Sequence, residues 1–197
     1  MSKKRRQFKR PLCQKSYRKL FVIAVEGAKT EPQYFTMFNN QQSIIRIHCL
    51  KGAHSSPPYV LKRMLNYLRR EDLKKKDEAW LVVDKDQWTD DHLIKLFEWS
   101  QKADNYGFAL SNPKFEYWLL LHFEDASGIK NSRDCVERLK KYLPGYDKSI
   151  DVRKISHEMI DNAIHRAEVR DNPPCKDWPK SFGSTTVYKL VKNIIHT

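Results

Sequence analysis

The chain has 197 residues, 40% of them hydrophobic and 12% aromatic, which is enough for one domain with a substantial core and argues against disorder over most of its length. No apolar stretch approaches the roughly 18 residues of a membrane span, and no secretory signal follows the basic N-terminus. The four cysteines are far apart in sequence, which disfavours a zinc site or a disulfide framework. We therefore expect a cytoplasmic protein with free thiols and no membrane segment.

The net charge of +13 is concentrated at the N-terminus. Residues 1–20 contain nine basic residues and no acidic one, so the other 177 residues carry only +4. We interpret residues 1–19 as a flexible basic arm that binds nucleic-acid phosphates without sequence preference. A tail that only improves solubility is the alternative. The candidate phosphate contacts in this arm are Lys3, Lys4, Arg5 and Arg6.

Short apolar segments alternate with amphipathic segments over residues 20–123. The predicted strands are Leu20–Val25, Ser43–Leu50, Ala79–Val83 and Tyr106–Leu110. The predicted helices begin near Thr30, Ser55, Thr89 and Phe115. This order predicts an α/β core with a central, mainly parallel four-stranded sheet flanked by helices. Residues 124–197 are predicted to form a helical C-terminal part of the same domain, with helices over Cys135–Tyr142, Val152–Val169 and Thr186–Ile195.

Acidic residues directly follow the first and third predicted strands. Glu26 follows the first strand, whereas Asp84 and Asp86 follow the third. In open α/β sheets, ligands bind at the carboxyl ends of the strands. Three carboxylates at that edge would repel one another unless a cation such as Mg²⁺ or Mn²⁺ lies among them, so the pattern predicts a metal-dependent phosphoryl-transfer site. The alternative is that these acids are ordinary turn residues and helix N-caps.

The acidic residues lie in segments that resemble known motifs. An acid after the first strand and Asp-x-Asp after the third resemble the layout of the TOPRIM domain of topoisomerases, primases and several nucleases. The segments Val25–Glu31, Val82–Trp88 and Ser111–Phe123 resemble, in order, the signature segments of the RloB-like family, and Ser184–Val191 extends the similarity. That bacterial family is associated with restriction loci and abortive infection, and is regarded as TOPRIM-like.

The resemblance implies a Mg²⁺-dependent nuclease, or a nuclease-like protein, in bacterial defence against phage. It assigns proton transfer to Glu26 and metal coordination to Asp84 and Asp86, with Glu26 also at the metal. Glu31 and Glu116 each follow a strand end closely and are further catalytic candidates. The related overcoming-lysogenization-defect nucleases use extra acids of this kind for a second metal. The alternative for both residues is a first-turn glutamate that the helix dipole favours.

Three lysines flank the acidic loops and are candidates for contact with the scissile phosphate: Lys29, Lys85 and Lys114. His122 lies in an apolar helix and is predicted to be a core residue. The chain contains no Gly-x-x-x-x-Gly-Lys-Ser/Thr motif, so any nucleotide-driven step requires another protein, such as a partner ATPase or a restriction-system protein.

The leading hypothesis is an endonuclease that cleaves RNA or DNA, acting alone or as a homo-oligomer. Two alternatives stay open. The first is a non-catalytic subunit that binds nucleic acid or a partner, and the second is a housekeeping RNA-processing nuclease. Clustered acids argue against a pure binding module because they repel phosphates.

Overall fold

The computed structural model describes residues 17–39, 43–52, 54–86 and 88–197. Most of the predicted basic arm, with all four of its candidate phosphate contacts, lies outside these ranges. The end of the predicted arm belongs to the folded domain instead. Lys19 begins the first strand and its Nζ lies 2.8 Å from Oε1 of Glu78, while the hydroxyl of Tyr17 donates a hydrogen bond to Asp77.

The centre of the molecule is a mainly parallel sheet with the strand order β2-β1-β3-β4-β5. The strands are β1 (Lys19–Val25), β2 (Ile45–Leu50), β3 (Glu78–Asp84), β4 (Tyr106–Asn112) and β5 (Ser184–Thr185). The first four strands run parallel, as predicted, and β5 pairs antiparallel with β4. This confirms the α/β class and is consistent with a TOPRIM-like fold. The prediction of four strands was wrong by one, because a two-residue strand has no periodicity that sequence reasoning could detect.

Helices cover both faces of the sheet. They are α1 (Thr30–Thr36), α2 (Pro57–Leu68), α3 (Asp90–Ser100), α4 (Phe115–Leu120), α5 (Ser132–Tyr142), α6 (His157–Arg170) and α7 (Val187–Ile195), with a 3₁₀ turn at Val152–Lys154. Asn131 and Ser156 cap α5 and α6 by accepting hydrogen bonds from backbone N–H groups of the first turn. Within the described residues, no helix is long and apolar enough to cross a membrane.

The core has two halves because side chains alternate across the pleated strands. In β1, Phe21 and Val25 pack with α1 and α4–α7 on one face. Val22 and Ala24 pack with α2 and α3 on the other face. Every one of these strand side chains is fully buried, which is why the β1 sequence is a continuous apolar run.

His122 is a core residue, as predicted. It is 2% exposed, its Nε2 lies 3.0 Å from the hydroxyl of Tyr34, and its Nδ1 lies 3.1 Å from the carbonyl oxygen of Trp118. Burial lowers the pKa of this histidine to about 4, so the imidazole is neutral at physiological pH.

The chain reverses its direction of progress across the sheet at β1. The connection through α1 places β2 on one side of β1, and the connection through α2 places β3 on the other. The backbone N–H of Glu26 continues the pairing by donating to the carbonyl oxygen of Val82 at 3.2 Å. Such a switch point leaves a crevice at the carboxyl ends of the two central strands, where α/β proteins bind their ligands. The first and third strands are therefore neighbours, as a site shared by the acids that follow them requires.

Candidate active site

A cavity of about 400 Å³ lies at the carboxyl ends of β1 and β3, between these strands and the first turns of α1 and α4. Its acidic lining residues are Glu26, Glu31, Asp84, Glu116 and Asp147. Its basic lining residues are Lys29 and Lys148. Because five acids and only two lysines line it, we call it the acidic cavity.

Glu26 occupies the first position after β1. Its Oε2 accepts a hydrogen bond from the backbone N–H of Asp84 at 3.1 Å, and its Oε1 accepts one from the indole N–H of Trp88 at 3.0 Å. Burial raises the pKa of Glu26 from 4.5 to about 7, and the negative charges of Glu31 and Asp86 add to the effect. A carboxyl group with this pKa can accept or release a proton near neutral pH.

Glu31 lies in the first turn of α1, and its side chain turns back towards the end of β1. Its Oε1 accepts a hydrogen bond from the backbone N–H of Gly27 at 2.8 Å, and the residue is 5% exposed. A side chain at position 27 would overlap the Glu31 carboxylate, so the close approach requires glycine. Burial raises the pKa of Glu31, and the charge of Glu116 raises it further.

Asp84 is the last residue of β3 and joins the two sides of the cavity. Its Oδ1 accepts a hydrogen bond from the backbone N–H of Phe115 at 2.8 Å, which ties it to the start of α4. Burial raises the pKa of Asp84 well above its ordinary value, and the charges of Glu31, Glu26 and Glu116 raise it further. The four acids Glu26, Glu31, Asp84 and Glu116 therefore repel one another, and any added negative charge in the cavity is disfavoured.

Glu116 is the one acid of these four that has a strong cationic partner. It is 2% exposed, and its Oε1 lies 2.7 Å from Nζ of Lys148 and 3.0 Å from the hydroxyl of Tyr146. Burial alone would raise the pKa of Glu116, but the hydrogen bond and charge of Lys148 outweigh it and the pKa is lowered. Glu116 is therefore held ionised.

Three other predicted site residues, Asp86, Lys85 and Lys114, lie outside the cavity lining. Asp86 is exposed in the turn after β3 and has a φ of 28°. Its negative charge nevertheless helps to raise the pKa of Glu26. Lys85 forms an ion pair with Asp90 at 3.1 Å. Lys114 is the N-cap residue of α4, and its charge helps to lower the pKa of Glu116. Of the three flanking lysines, Lys29 alone lines the cavity, and its side chain is exposed.

Sequence reasoning missed Lys148 and Tyr146, which come from the loop between α5 and the 3₁₀ turn. Thr30 holds this loop against α1, since its hydroxyl donates to the carbonyl oxygen of Lys148 at 2.9 Å. Lys148 has a φ of 57°. A lysine in a polar loop more than 30 residues from Glu116 gives no sequence signal of this contact. Trp88 was likewise missed as a donor to Glu26.

The cavity can be compared with the needs of a divalent metal ion. As the side chains are placed, no three acidic, histidine or cysteine groups of the described residues lie close enough together to hold one ion. The donor chemistry nevertheless fits a hard cation, because the candidates are carboxylate oxygens. Burial raises the pKa values of Glu26, Glu31 and Asp84, and the charges of neighbouring acids raise them further, whereas a divalent charge among them would lower those values. Glu26 and Asp84 are brought together as predicted, whereas Asp86 lies farther out.

The chain was compared with known proteins. The model of the family described as RloB-like protein matches residues 21–194, which include the whole of the cavity lining. No curated protein and no solved structure matches the chain. The match extends into α7, so the family signature covers the C-terminal helices as well as the sheet.

Proposed function

The chain belongs to the RloB-like protein family, and we propose that it is a metal-dependent nuclease that cleaves phosphodiester bonds of RNA or DNA in bacterial defence against phage. The observation that carries this proposal is the group of four acids, Glu26, Glu31, Asp84 and Glu116, around one cavity at the switch point of the sheet. The defence role rests on the association of the family with restriction loci and abortive infection. We also propose that the protein acts in the cytoplasm, where its nucleic-acid substrates are.

Asp84, with Glu26 and Glu31, would hold the metal ion. When bound, a divalent ion stabilises charge on phosphoryl oxygens and lowers the pKa of an attacking water. Asp84 is suited to this task because its backbone position is fixed by the sheet and its Oδ1 is oriented by the N–H of Phe115. Asp86 is the residue that would move to reach the ion, since it lies in an exposed turn.

Glu26 is suited to proton transfer because its pKa lies near 7. Lys148 would contact a phosphate oxygen of the substrate, since its side chain is mostly exposed while its ammonium group is anchored on Glu116. Burial lowers the pKa of Lys148, but Glu116 more than compensates and the pKa is raised, so this lysine stays charged. The ion pair thus keeps a fixed positive charge at the mouth of an acidic cavity.

A non-catalytic subunit is the second candidate function. One observation favours it: several of the carboxylate oxygens already accept hydrogen bonds from backbone N–H groups, as in a site that is structural. Under this alternative the acids stabilise the crevice, and the protein binds nucleic acid or a partner such as an ATPase or a restriction-system protein.

One assay separates the two candidates. Purified protein is incubated with Mg²⁺, Mn²⁺ or EDTA against total tRNA, ribosomal RNA and plasmid DNA, and the products are resolved by gel electrophoresis. The nuclease proposal expects cleavage that requires a divalent ion and is lost in the Asp84→Asn variant. Absence of cleavage of all three substrates, with both metals and over a range of pH, would favour the binding subunit.

A further inference from the structure

A second cavity, of about 450 Å³, lies beside the edge strand β2 and the last turns of α2. Three basic residues and one acid line it: Lys51, Arg63, Arg70 and Glu71. The sign of its charge is therefore opposite to that of the acidic cavity. Arg69 adds a cation beside this second cavity, because its Nη1 lies 3.5 Å from Oδ1 of the lining residue Asn66.

Arg63 connects the two cavities. Its Nη1 donates a hydrogen bond to the carbonyl oxygen of His54 at 2.6 Å, and its Nη2 donates to that of Val25. Val25 directly precedes Glu26, and Ser55, next to His54, lines the acidic cavity. The guanidinium group therefore links the second cavity, which Arg63 lines, to backbone that adjoins two lining residues of the acidic cavity. A side chain at Gly52 would overlap Arg63, which shows how closely this loop approaches the arginine.

Two aromatic rings lie in the second cavity. The rings of His48 and Tyr67 meet edge to face, with centroids 5.3 Å apart and planes at 79°. Burial lowers the pKa of His48, and the charge of Arg46 lowers it further, so the imidazole is neutral at pH 7. Aromatic rings next to fixed cations are what single-stranded nucleic acids bind, because bases stack on the rings while phosphates pair with the cations. In a duplex the faces of the bases are already stacked and are not accessible.

We propose that the second cavity binds one nucleotide of a single-stranded nucleic acid whose chain continues into the acidic cavity. The inference rests on the proposed function for the identity of the ligand and deepens it by naming single strands as the substrate class. Lys51 and Arg70 bind phosphates, Tyr67 stacks on a base, and Arg63 holds the end of β1 through the carbonyl oxygen of Val25, directly before Glu26. Substrate affinity then comes from a surface that needs no metal ion, whereas the acidic cavity repels phosphates until a cation is bound.

The test measures binding without divalent ions, so that it does not depend on catalysis. The full-length protein is titrated in EDTA, over a range of salt concentrations, with fluorescein-labelled single strands of RNA and DNA of about ten nucleotides and with a duplex of the same length. The Lys51→Gln/Arg70→Gln variant of the second cavity is compared with a control, Lys102→Gln/Lys141→Gln. All four residues are exposed and both variants remove two charges, but the control pair lies outside both cavities.

We expect the second-cavity variant to bind single strands about ten-fold more weakly, with a log–log salt slope reduced by about 1.4, because each basic side chain that pairs with a phosphate of a single strand contributes about 0.7. The control should change the slope by less than half of this. Tyr67→Leu should weaken binding of single strands but not of the duplex, and Tyr67→Phe should bind as the wild type does. If the second-cavity variant loses more affinity for the RNA strand than for the DNA strand, the site prefers RNA, and the reverse result assigns it to DNA.

The two proposals fail in different ways. Equal decreases in affinity in the second-cavity and control variants, or equal effects of Tyr67→Leu on single strands and duplex, would overturn the nucleotide site. Binding that depends on the second cavity in a protein that never cleaves would support the site and reject the nuclease. If the wild type cleaves but the second-cavity variant binds single strands as tightly as the control does, the nucleotide site is rejected and the nuclease proposal is kept. If Tyr67→Leu fails to fold, the comparison of the two glutamine pairs decides the matter.

Discussion

The ammonium group of Lys148 lies 2.7 Å from Oε1 of Glu116, although 32 residues separate the two in sequence. Glu116 is the second residue of α4, which follows β4, whereas Lys148 lies in a loop of the C-terminal part. The acidic cavity is therefore built by both parts of the chain. The segment over residues 20–123 supplies the four acids, but the cation that pairs with Glu116 comes from outside it.

Replacement of Lys148 by methionine is expected to lower the free energy of unfolding at pH 7 by about 1 kcal/mol. The value is small because Lys148 is mostly exposed, so solvent screens its charge, although the ionised Glu116 that would be left without its partner is buried. The lowered pKa of Glu116 contributes stability above the unfolded pKa, and this is lost as the pH falls through the folded pKa. The difference between variant and wild type should therefore shrink in acid.

Urea unfolding at pH 7 and at about pH 4 checks this expectation. Lys154→Met is the matched control, because Lys154 is an exposed lysine of the same region that does not line the acidic cavity. Equal decreases in stability in the two variants, or a decrease that does not depend on pH, would show that the ion pair with Glu116 has no special role.

The sequence predicts the sheet and the position of its acids better than it predicts the complete site. β1 and β3 each contain a short apolar run that leads into an acidic residue, and that pattern placed Glu26 and Asp84 at the carboxyl ends of strands that are neighbours in the sheet. The contact of Lys148 with Glu116 and that of Trp88 with Glu26 depend on how loops fold back over the sheet, and no local pattern encodes such contacts. Asp86 was grouped with Asp84 because both follow the third strand and resemble the Asp-x-Asp motif, but the turn after β3 leaves Asp86 exposed.

The short strand β5 shows a similar limit. Ser184 and Thr185 pair with Asn112 and Ser111, and the hydroxyls of Ser111 and Thr185 are 2.9 Å apart. Two of the segments that resemble family motifs therefore meet in the fold. The resemblance marked both segments, but neither propensity nor periodicity indicated that they pair.

The raised pKa of Glu26 predicts how stability of the metal-free protein depends on pH. Because the folded pKa of about 7 exceeds the ordinary 4.5, protonated Glu26 stabilises the fold below about pH 4.5, and this contribution is lost as the pH rises to 7. The decrease amounts to at most about 3 kcal/mol. The Glu26→Gln variant should lack it, so the difference in unfolding free energy between variant and wild type should grow from pH 5 to pH 8 in EDTA.

Mg²⁺ should remove part of that difference at pH 8, since it stabilises the ionised carboxylates of the wild type and binds the variant less well. Thermal unfolding with and without the metal provides the measurement. A stability difference that stays constant over this pH range would mean that Glu26 titrates normally.

Deletion of residues 1–16 is expected to weaken nucleic-acid binding while leaving the fold intact. The deletion removes seven basic residues and stops short of Tyr17 and Lys19, whose hydrogen bond to Asp77 and ion pair with Glu78 belong to the domain. The log–log salt slope of binding to a single strand should fall by about 0.7 for each phosphate that the arm neutralises. A full-length variant with the same seven residues changed to glutamine serves as control for chain length. An unchanged slope in both proteins would identify the arm as a solubility tail.

Asp84→Asn should reduce cleavage by about 100-fold or more without unfolding the protein. Asparagine can still accept the hydrogen bond from the backbone N–H of Phe115, but it lacks the charge that would hold a cation. It also removes the repulsion that Asp84 experiences from Glu31, Glu26 and Glu116, so the metal-free variant should be at least as stable as the wild type. Binding of nucleic acid in EDTA should persist or tighten, because a negative charge near the phosphates is gone.

Two further variants show whether the effect belongs to the cavity. Asp91→Asn changes an exposed acid of α3 and should leave cleavage unaltered. Asp86→Asn keeps a residue type that tolerates a positive φ, so reduced cleavage there would assign Asp86 to the metal and not to the turn. Cleavage is followed with Mg²⁺ and Mn²⁺ on the substrate that the wild type cuts. Wild-type activity in Asp84→Asn would refute the catalytic role of this cavity. No other described acid lies at the end of β3 and accepts a hydrogen bond from the first residue of α4.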